Sequence, residues 1–316
     1  MRYVLLPVPL LYNAGDNGLV TVIGIFGPTA SGKSAVAEAV AERLPAELVS
    51  ADAMQVYRDL PILTNQSAYP TRLVGIWPLE HEASVGAYAP LAHAAIDEIL
   101  AAGKTPVVVG GTGLYLRAAL AELELPPAPA PGVRARWSRH YDEVGAAVAD
   151  AELGERDPVS AAAIHPNDRR RVIRALELVE VGSSLAPSRD RLWTGATRHP
   201  TVVVGLDVPK DVLNHRIGSR TRAMFAAGVQ EEVRAALARK ISPTARKTMG
   251  IDEVANLPDE LAQAALVTRT RRYAAYQRKW MRRVPGIVMV DGDRPPGVIA
   301  DDIVALARTR ERLPGQ

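Results

Sequence analysis

The sequence predicts an α/β fold: a P-loop NTPase-like parallel sheet flanked by helices, with a helical insertion domain. Three observations predict it. A β-branched apolar run at residues 20–26 leads straight into Gly27-Pro28-Thr29-Ala30-Ser31-Gly32-Lys33-Ser34, which matches Gly, four residues, Gly, Lys, Ser or Thr at the junction of a strand and a helix. Apolar runs of strand length then alternate with stretches of helical period, the pattern of a parallel sheet. One long, strongly charged segment interrupts this alternation and reads as mostly helical.

In chain order, residues 20–26 read as the first strand, and apolar residues recur at helical spacing from 33 to 44. A second short strand is expected at 47–50. The helical stretch 88–102 stops at Gly103, a residue suited to a helix C-terminus, and a third strand follows at 106–110. Residues 125–131 are rich in Pro and Ala and read as a linker. Beyond it, 134–181 reads as mostly helical. The run 201–206 ends at Asp207 and opens the second half of the sheet. A long helical region at 210–239, a basic helix at 261–283, a strand at 286–290 and a C-terminal helix from 298 complete the chain. The domain plan is a disordered extension at 1–18, a P-loop catalytic core at 19–125 and 200–316, and an insert at 126–199.

With 316 residues, 47% hydrophobic and 23% charged, the chain has the make-up of a globular protein with one sizeable core and a subdomain. Lys and Arg exceed Asp and Glu only by 38 to 35, but arginines cluster at 169–174 and 269–283, as a polyanion-binding face requires. There is no cysteine, which excludes disulfides, thiolate metal sites and a Cys nucleophile. Pro7 and Pro9 interrupt the apolar opening, so it reads as no signal peptide. No other stretch is apolar enough to span a bilayer. A cytoplasmic monomer with no membrane partner is expected.

The Gly27–Ser34 loop turns backbone N–H groups inward at a helix N-terminus, with Lys33 reaching the outer phosphate and the Ser34 hydroxyl available to Mg²⁺. Such a loop specifies a polyphosphate without specifying the reaction, so kinases, NTPases and unrelated transferases all stay open. After the second strand, Asp52 in Ser50-Ala51-Asp52-Ala53-Met54-Gln55 stands at the ligand edge of a parallel sheet, where it either faces the phosphates or caps the next turn. After the third strand, Gly110-Gly111-Thr112-Gly113 lets backbone approach a ligand and offers the Thr112 hydroxyl.

The three motifs in this order resemble the tRNA dimethylallyltransferase family, also called tRNA isopentenylpyrophosphate transferases. Later stretches resemble it too: Ile164-His165-Pro166-Asn167-Asp168 continuing into Arg171 and Arg174, residues 213–220 with Met224 and Gly228, and Thr268-Arg269 leading to Gln277 and Trp280. The resemblance implies a P-loop that holds dimethylallyl diphosphate with Mg²⁺, and a tRNA anticodon stem-loop as acceptor. It makes Asp52 the general base, Thr112 a group beside the oxygen that leaves C1, and Arg220 a diphosphate-binding arginine, with Arg216 one turn away as a helper. It places Asp52, Ala53, Met54 and Gln55 at the target base, and Arg170, Arg171, Val172, Ile173 and Arg174, with the basic helix around 269–283, against the RNA. The chain departs from the family pattern at Gln66, where a Lys is usual, and at Ile251, Ala275 and Tyr276. These changes fall on the expected RNA side. Two readings from other classes stay open from the residues alone: a small-molecule or nucleotide kinase, and a nucleotide-gated RNA-binding protein without chemistry.

Overall fold

The computed structural model describes residues 22–311 apart from 131, 187–191 and 193; the expected extension at 1–18 lies outside the described residues. The chain divides into two compact units, one formed by residues 22–122 and 192–311 and the other by 123–186.

In the first unit, six strands form one sheet: β1 (Val22–Phe26), β2 (Ala46–Ser50), β3 (Thr71–Arg72), β4 (Thr105–Gly110), β5 (Thr201–Asp207) and β6 (Val288–Asp291), in the order β3-β2-β4-β1-β5-β6. Every pairing is parallel, with Phe26 opposite Gly110 and Gly205, and Ser50 opposite Val109. β1 is buried along its whole length because both faces are covered. Its alternation is therefore hidden in the composition but visible in the packing. Val22 and Phe26 enter the core beneath α2 (Val85–Ala101) and α3 (Gly113–Leu120), whereas Ile23 and Ile25 pack toward α1 (Lys33–Ala41) and α12 (Pro296–Glu311). The sequence pattern missed β3, a two-residue edge strand too short to carry a period.

The helical region expected at 210–239 is two helices, α8 (Lys210–Ala226) and α9 (Val229–Leu237), because Gly228 takes a left-handed φ of 88° and turns the chain. α10 (Ile251–Asn256) and α11 (Asp259–Met281) follow. Arg117 of α3 is 2% exposed. Its guanidinium donates to the carbonyls of Leu192, Thr194 and Ala196 at 3.1, 3.0 and 3.2 Å, which fixes the segment that leads into β5.

The second unit contains α4 (Val133–Val144), α5 (Ala146–Arg156), α6 (Pro158–Ala163) and α7 (Arg169–Val179). Gly145 at φ 81° separates the first pair, and Asp157 caps α6 by accepting from Ser160 N at 3.0 Å. Its core gathers Trp137, Tyr141, Leu153, Ile164, Val172 and Leu176. Glu177 is buried there and charge-paired on two sides, with Arg134 at 2.8 Å and Arg174 at 2.9 Å.

Candidate active site

Strand order places the three motifs side by side, since the loops that leave the C-terminal ends of β2, β4 and β1 adjoin in the sheet. The P-loop and the Asp52 motif meet at a cleft of about 310 Å³ whose lining includes Lys33, Ser34, Asp52, Gln55, Arg216, Arg220, Tyr273 and Gln277, while the loop at 110–113 is joined to that lining through Thr112 and Tyr273 without being part of it. The P-loop folds over with Ala30 at φ 65° and Gly32 at φ 87°. A left-handed alanine costs roughly 1 kcal/mol and persists only where neighbours hold it. Thr29, Ala30, Gly32, Lys33 and Ser34 line the cleft, whereas Gly27, Pro28 and Ser31 are buried and shape the loop. The Ser31 hydroxyl is 1% exposed, with no hydrogen-bond partner among the described residues.

Two cations stand in this cleft with no ion pair or hydrogen bond among the described residues, Lys33 and Arg220. Burial lowers the Lys33 ammonium pKa to about 8, opposed by Asp52 and reinforced by Arg220. Burial likewise lowers the pKa of the Arg220 guanidinium, with Asp52 acting against it. Charges desolvated in this way favour an anionic ligand between them. Arg216 is differently placed, paired with Asp293 at 2.8 Å.

Asp52 accepts from Met54 N through one carboxylate oxygen at 2.9 Å, an Asx turn that orients the side chain into the cleft. The capping and ligand-facing readings of Asp52 are therefore compatible. The Thr112 hydroxyl lies 3.4 Å from Ala53 N and 3.4 Å from the Tyr273 hydroxyl. Tyr273, whose pKa burial raises, thus links α11 to the loop after β4 and also lines the cleft. The sequence reading gave it no role.

Gln55 is held on three sides: it accepts from the Ser50 hydroxyl at 3.1 Å and donates to the carbonyls of Thr64 and Asn65 at 3.2 and 3.0 Å. Gln66, where a Lys was expected, donates to Tyr57 O at 2.7 Å and to the Thr64 hydroxyl at 3.2 Å. It fastens the same loop from within. Ile251 is fully buried, and Ala275 and Tyr276 are exposed. His81 stacks on Trp77 at 4.6 Å between ring centroids, a packing role.

In the second unit Arg170 and Arg171 are exposed and make no ion pair among the described residues. Two of the expected RNA contacts are corrected: Val172 and Ile173 are 0% and 4% exposed and belong to that unit's core. Helical period explains why, since α7 turns these positions inward as it turns 170 and 171 out. Arg174 is bound to Glu177 and donates to Pro126 O at 3.3 Å, so it braces the unit.

The Ser34 hydroxyl has no hydrogen-bond partner among the described residues and opens α1 at the cleft, so it fits as one oxygen ligand of a hard cation. No group of three or more His, Cys, Asp or Glu that could hold a metal occurs among the described residues. A cation here would share its ligands with a bound polyphosphate.

The sequence matches the family model described as IPP transferase over residues 55–284, most of the chain. The chain belongs to the IPP transferase family. A second model, Isopentenyl transferase, matches residues 20–73, which carry the P-loop and Asp52. Among similar members, a tRNA dimethylallyltransferase of Mycobacterium avium is 42% identical over 83% of this chain and 91% of its own. One from Salinispora arenicola is 38% identical over 90% and 86%. The fold agrees with that of the full-length tRNA isopentenylpyrophosphate transferase of Bacillus halodurans, at TM-score 0.67 and 30% identity over 93% of this chain and 98% of that one. A eukaryotic dimethylallyltransferase captured acting on tRNA shares the fold at TM-score 0.76 and 23% identity, over 93% of this chain and 81% of that one. None of these IPP transferase relatives is described as a kinase or as a non-catalytic RNA-binding protein.

Proposed function

We propose that the chain transfers the dimethylallyl group of dimethylallyl diphosphate to N6 of the adenosine immediately 3′ of the anticodon, in tRNAs that read codons beginning with U. The products are N6-(dimethylallyl)adenosine and diphosphate. The observation that carries this reading is the pair of desolvated, unpaired cations, Lys33 and Arg220, in one cleft with the Asp52 carboxylate.

The P-loop N–H groups, Lys33 and Arg220 hold the diphosphate and stabilise the negative charge that grows on it as the C1–O bond breaks. The Thr112 hydroxyl donates to the leaving oxygen. The Ser34 hydroxyl would be the protein ligand of a Mg²⁺ ion, which would supply further positive charge there when bound. Adenine N6 is a weak nucleophile because its lone pair is delocalised into the ring, so Asp52 accepts the N6 proton through the carboxylate oxygen not engaged by Met54 N as the C1–N6 bond forms. The acceptor base leaves its stack to reach C1, with Ala53, Met54 and Gln55 around it.

Arg170 and Arg171 and the arginines of α11 bind the RNA backbone. On α11, Arg269 and Arg278 are already paired, with Glu253 at 2.7 Å and Asp207 at 2.9 Å. Exposed Arg271 and Arg272 carry more of this contact. No helix among the described residues is long and apolar enough to cross a membrane.

The test is nucleoside mass spectrometry of undermodified total tRNA incubated with the protein, Mg²⁺ and dimethylallyl diphosphate. N6-prenylated adenosine forms with the native protein and is lost with Asp52→Ala. Unchanged product with Asp52→Ala refutes the role given to the carboxylate.

A further inference from the structure

Two loops must hold the donor at once, the P-loop after β1 and the Gly-rich loop after β4 that carries Thr112. Neither is regular structure: β1 and β4 pair as far as Phe26 and Gly110, and a last backbone bond runs from Gly27 N to Gly110 O at 3.4 Å. Beyond that bond, one side chain bridges the two loops.

Gln277 of α11 is 3% exposed, and its amide reaches both loops. Its oxygen accepts from Thr29 N at 2.8 Å, and its nitrogen donates to Gly111 O at 2.7 Å. The orientation of the amide is forced, because one partner can only donate and the other can only accept. Thr29 is the residue just before left-handed Ala30, so the bond grips the P-loop where its backbone is most strained. On the other loop, a Cβ at position 111 would lie 2.4 Å from the Gln277 nitrogen and 3.0 Å from Gly27 O. A Cβ at position 113 would lie 2.2 Å from the Trp280 ring, one turn further along α11. Both glycines on either side of Thr112 are thus set by the close approach of α11.

We propose that Gln277 is a positioning residue that locks the diphosphate loop to the Thr112 loop, so that the donor's phosphates and its leaving oxygen meet their partners in one fixed geometry. It also lines the cleft, but its amide oxygen and nitrogen are engaged by the two loops. The proposal rests on the prenyl-transfer reading for its kinetic consequence, but not for its consequence on diphosphate binding. Gln277→Leu removes both bonds. Gln277→Glu is isosteric, keeps the acceptor for Thr29 N and sets a carboxylate against Gly111 O. Leu266→Ala, elsewhere on α11 and buried in its core contacts, destabilises the same helix without touching either loop.

The experiment measures, for the full chain and each variant, the melting temperature, the Kd for inorganic diphosphate with Mg²⁺ by titration calorimetry, and kcat and KM for transfer to an anticodon stem-loop RNA. A misplacement of about 1 Å between reacting groups costs about 100-fold. Both Gln277 variants are expected to lower kcat at least about tenfold and to weaken diphosphate binding by a similar factor, with KM for the RNA within about twofold. Leu266→Ala lowers the melting temperature while leaving Kd and kcat within about twofold at temperatures where it is folded. Gln277→Leu or Gln277→Glu with native Kd and kcat, in a wild type that transfers the prenyl group, overturns the proposal. If the wild type transfers nothing but the Gln277 variants still lose diphosphate affinity, the lock stands and the prenyl-transfer reading fails.

Discussion

Gly110 ends β4 directly beside the residue that precedes Asp52, which makes Gly110→Ala the sharpest test of the site's geometry. A Cβ at position 110 would lie 2.1 Å from Ala51 O, 2.6 Å from Ala51 C and 2.9 Å from Ala51 Cβ. The obstructing atoms are backbone, and Ala51 is itself tied to β4 by the bond from its N–H to Val109 O at 2.8 Å. Nothing there can swing aside, so the Ala51-Asp52 segment must retreat by roughly 1 Å to restore van der Waals contact. Overpacking of this kind costs about 1–3 kcal/mol of stability. A displacement of about 1 Å of Asp52, the proposed general base, should lower kcat by about 100-fold. Gly86→Ala serves as the control, because a Cβ there meets only Ser84 Oγ at 3.9 Å within a helix, and it gains up to about 1 kcal/mol of stability with no change in kcat. The assay is steady-state prenyl transfer, with the melting temperature of each variant recorded alongside. Gly110→Ala with native kcat and native melting temperature refutes the claim that close packing of β2 on β4 sets the position of Asp52.

Lys33→Met should abolish the charged contact to diphosphate, weakening its binding about 10- to 100-fold by calorimetry. The same change raises the melting temperature of the free protein, because an ammonium driven down to about 8 by burial is a cost to the unliganded fold. His93 donates to Ala118 O at 2.8 Å, and burial holds its pKa below the ordinary value. The unfolded chain therefore takes up the His93 proton first, and stability falls as pH drops below about 6.5. Denaturant unfolding between neutral and acidic pH should show a shallower fall for His93→Gln than for the native chain. In the second unit, Arg170→Ala and Arg171→Ala should each reduce the slope of log K against log salt for tRNA binding by about 1, with melting unchanged. Arg174→Ala should instead lower the melting temperature, since Arg174 neutralises buried Glu177.

The sheet and its ligand edge were legible because the P-loop, Asp52 and Gly110–Gly113 each follow an apolar run, and a parallel sheet has only one edge at which such loops can meet. The break at Gly228 was signalled by the glycine itself but masked by helical period on both sides of it. In the run from Arg170 to Arg174, charge was read and period was not. The inward turn of Val172 and Ile173 follows from spacing in a helix. Gln277 could not be recognised as a lock, because a polar residue in a basic helix reads as surface until the two glycine loops are seen against it. Gln66 shows the same limit: the absence of a Lys was visible, whereas the bonds to Tyr57 and Thr64 depend on how the loop closes.

The central claim is that the P-loop cleft holds an allylic diphosphate and releases inorganic diphosphate as the base is alkylated. The most direct measurement is a single-turnover reaction with C1-labelled dimethylallyl diphosphate, Mg²⁺ and an anticodon stem-loop carrying adenosine 3′ of the anticodon, following label in RNA and free diphosphate together. The account predicts that both appear at the same rate and in equal amounts, and that guanosine at the target position stops both. Unlabelled RNA, together with turnover of ATP in the same cleft, would contradict it.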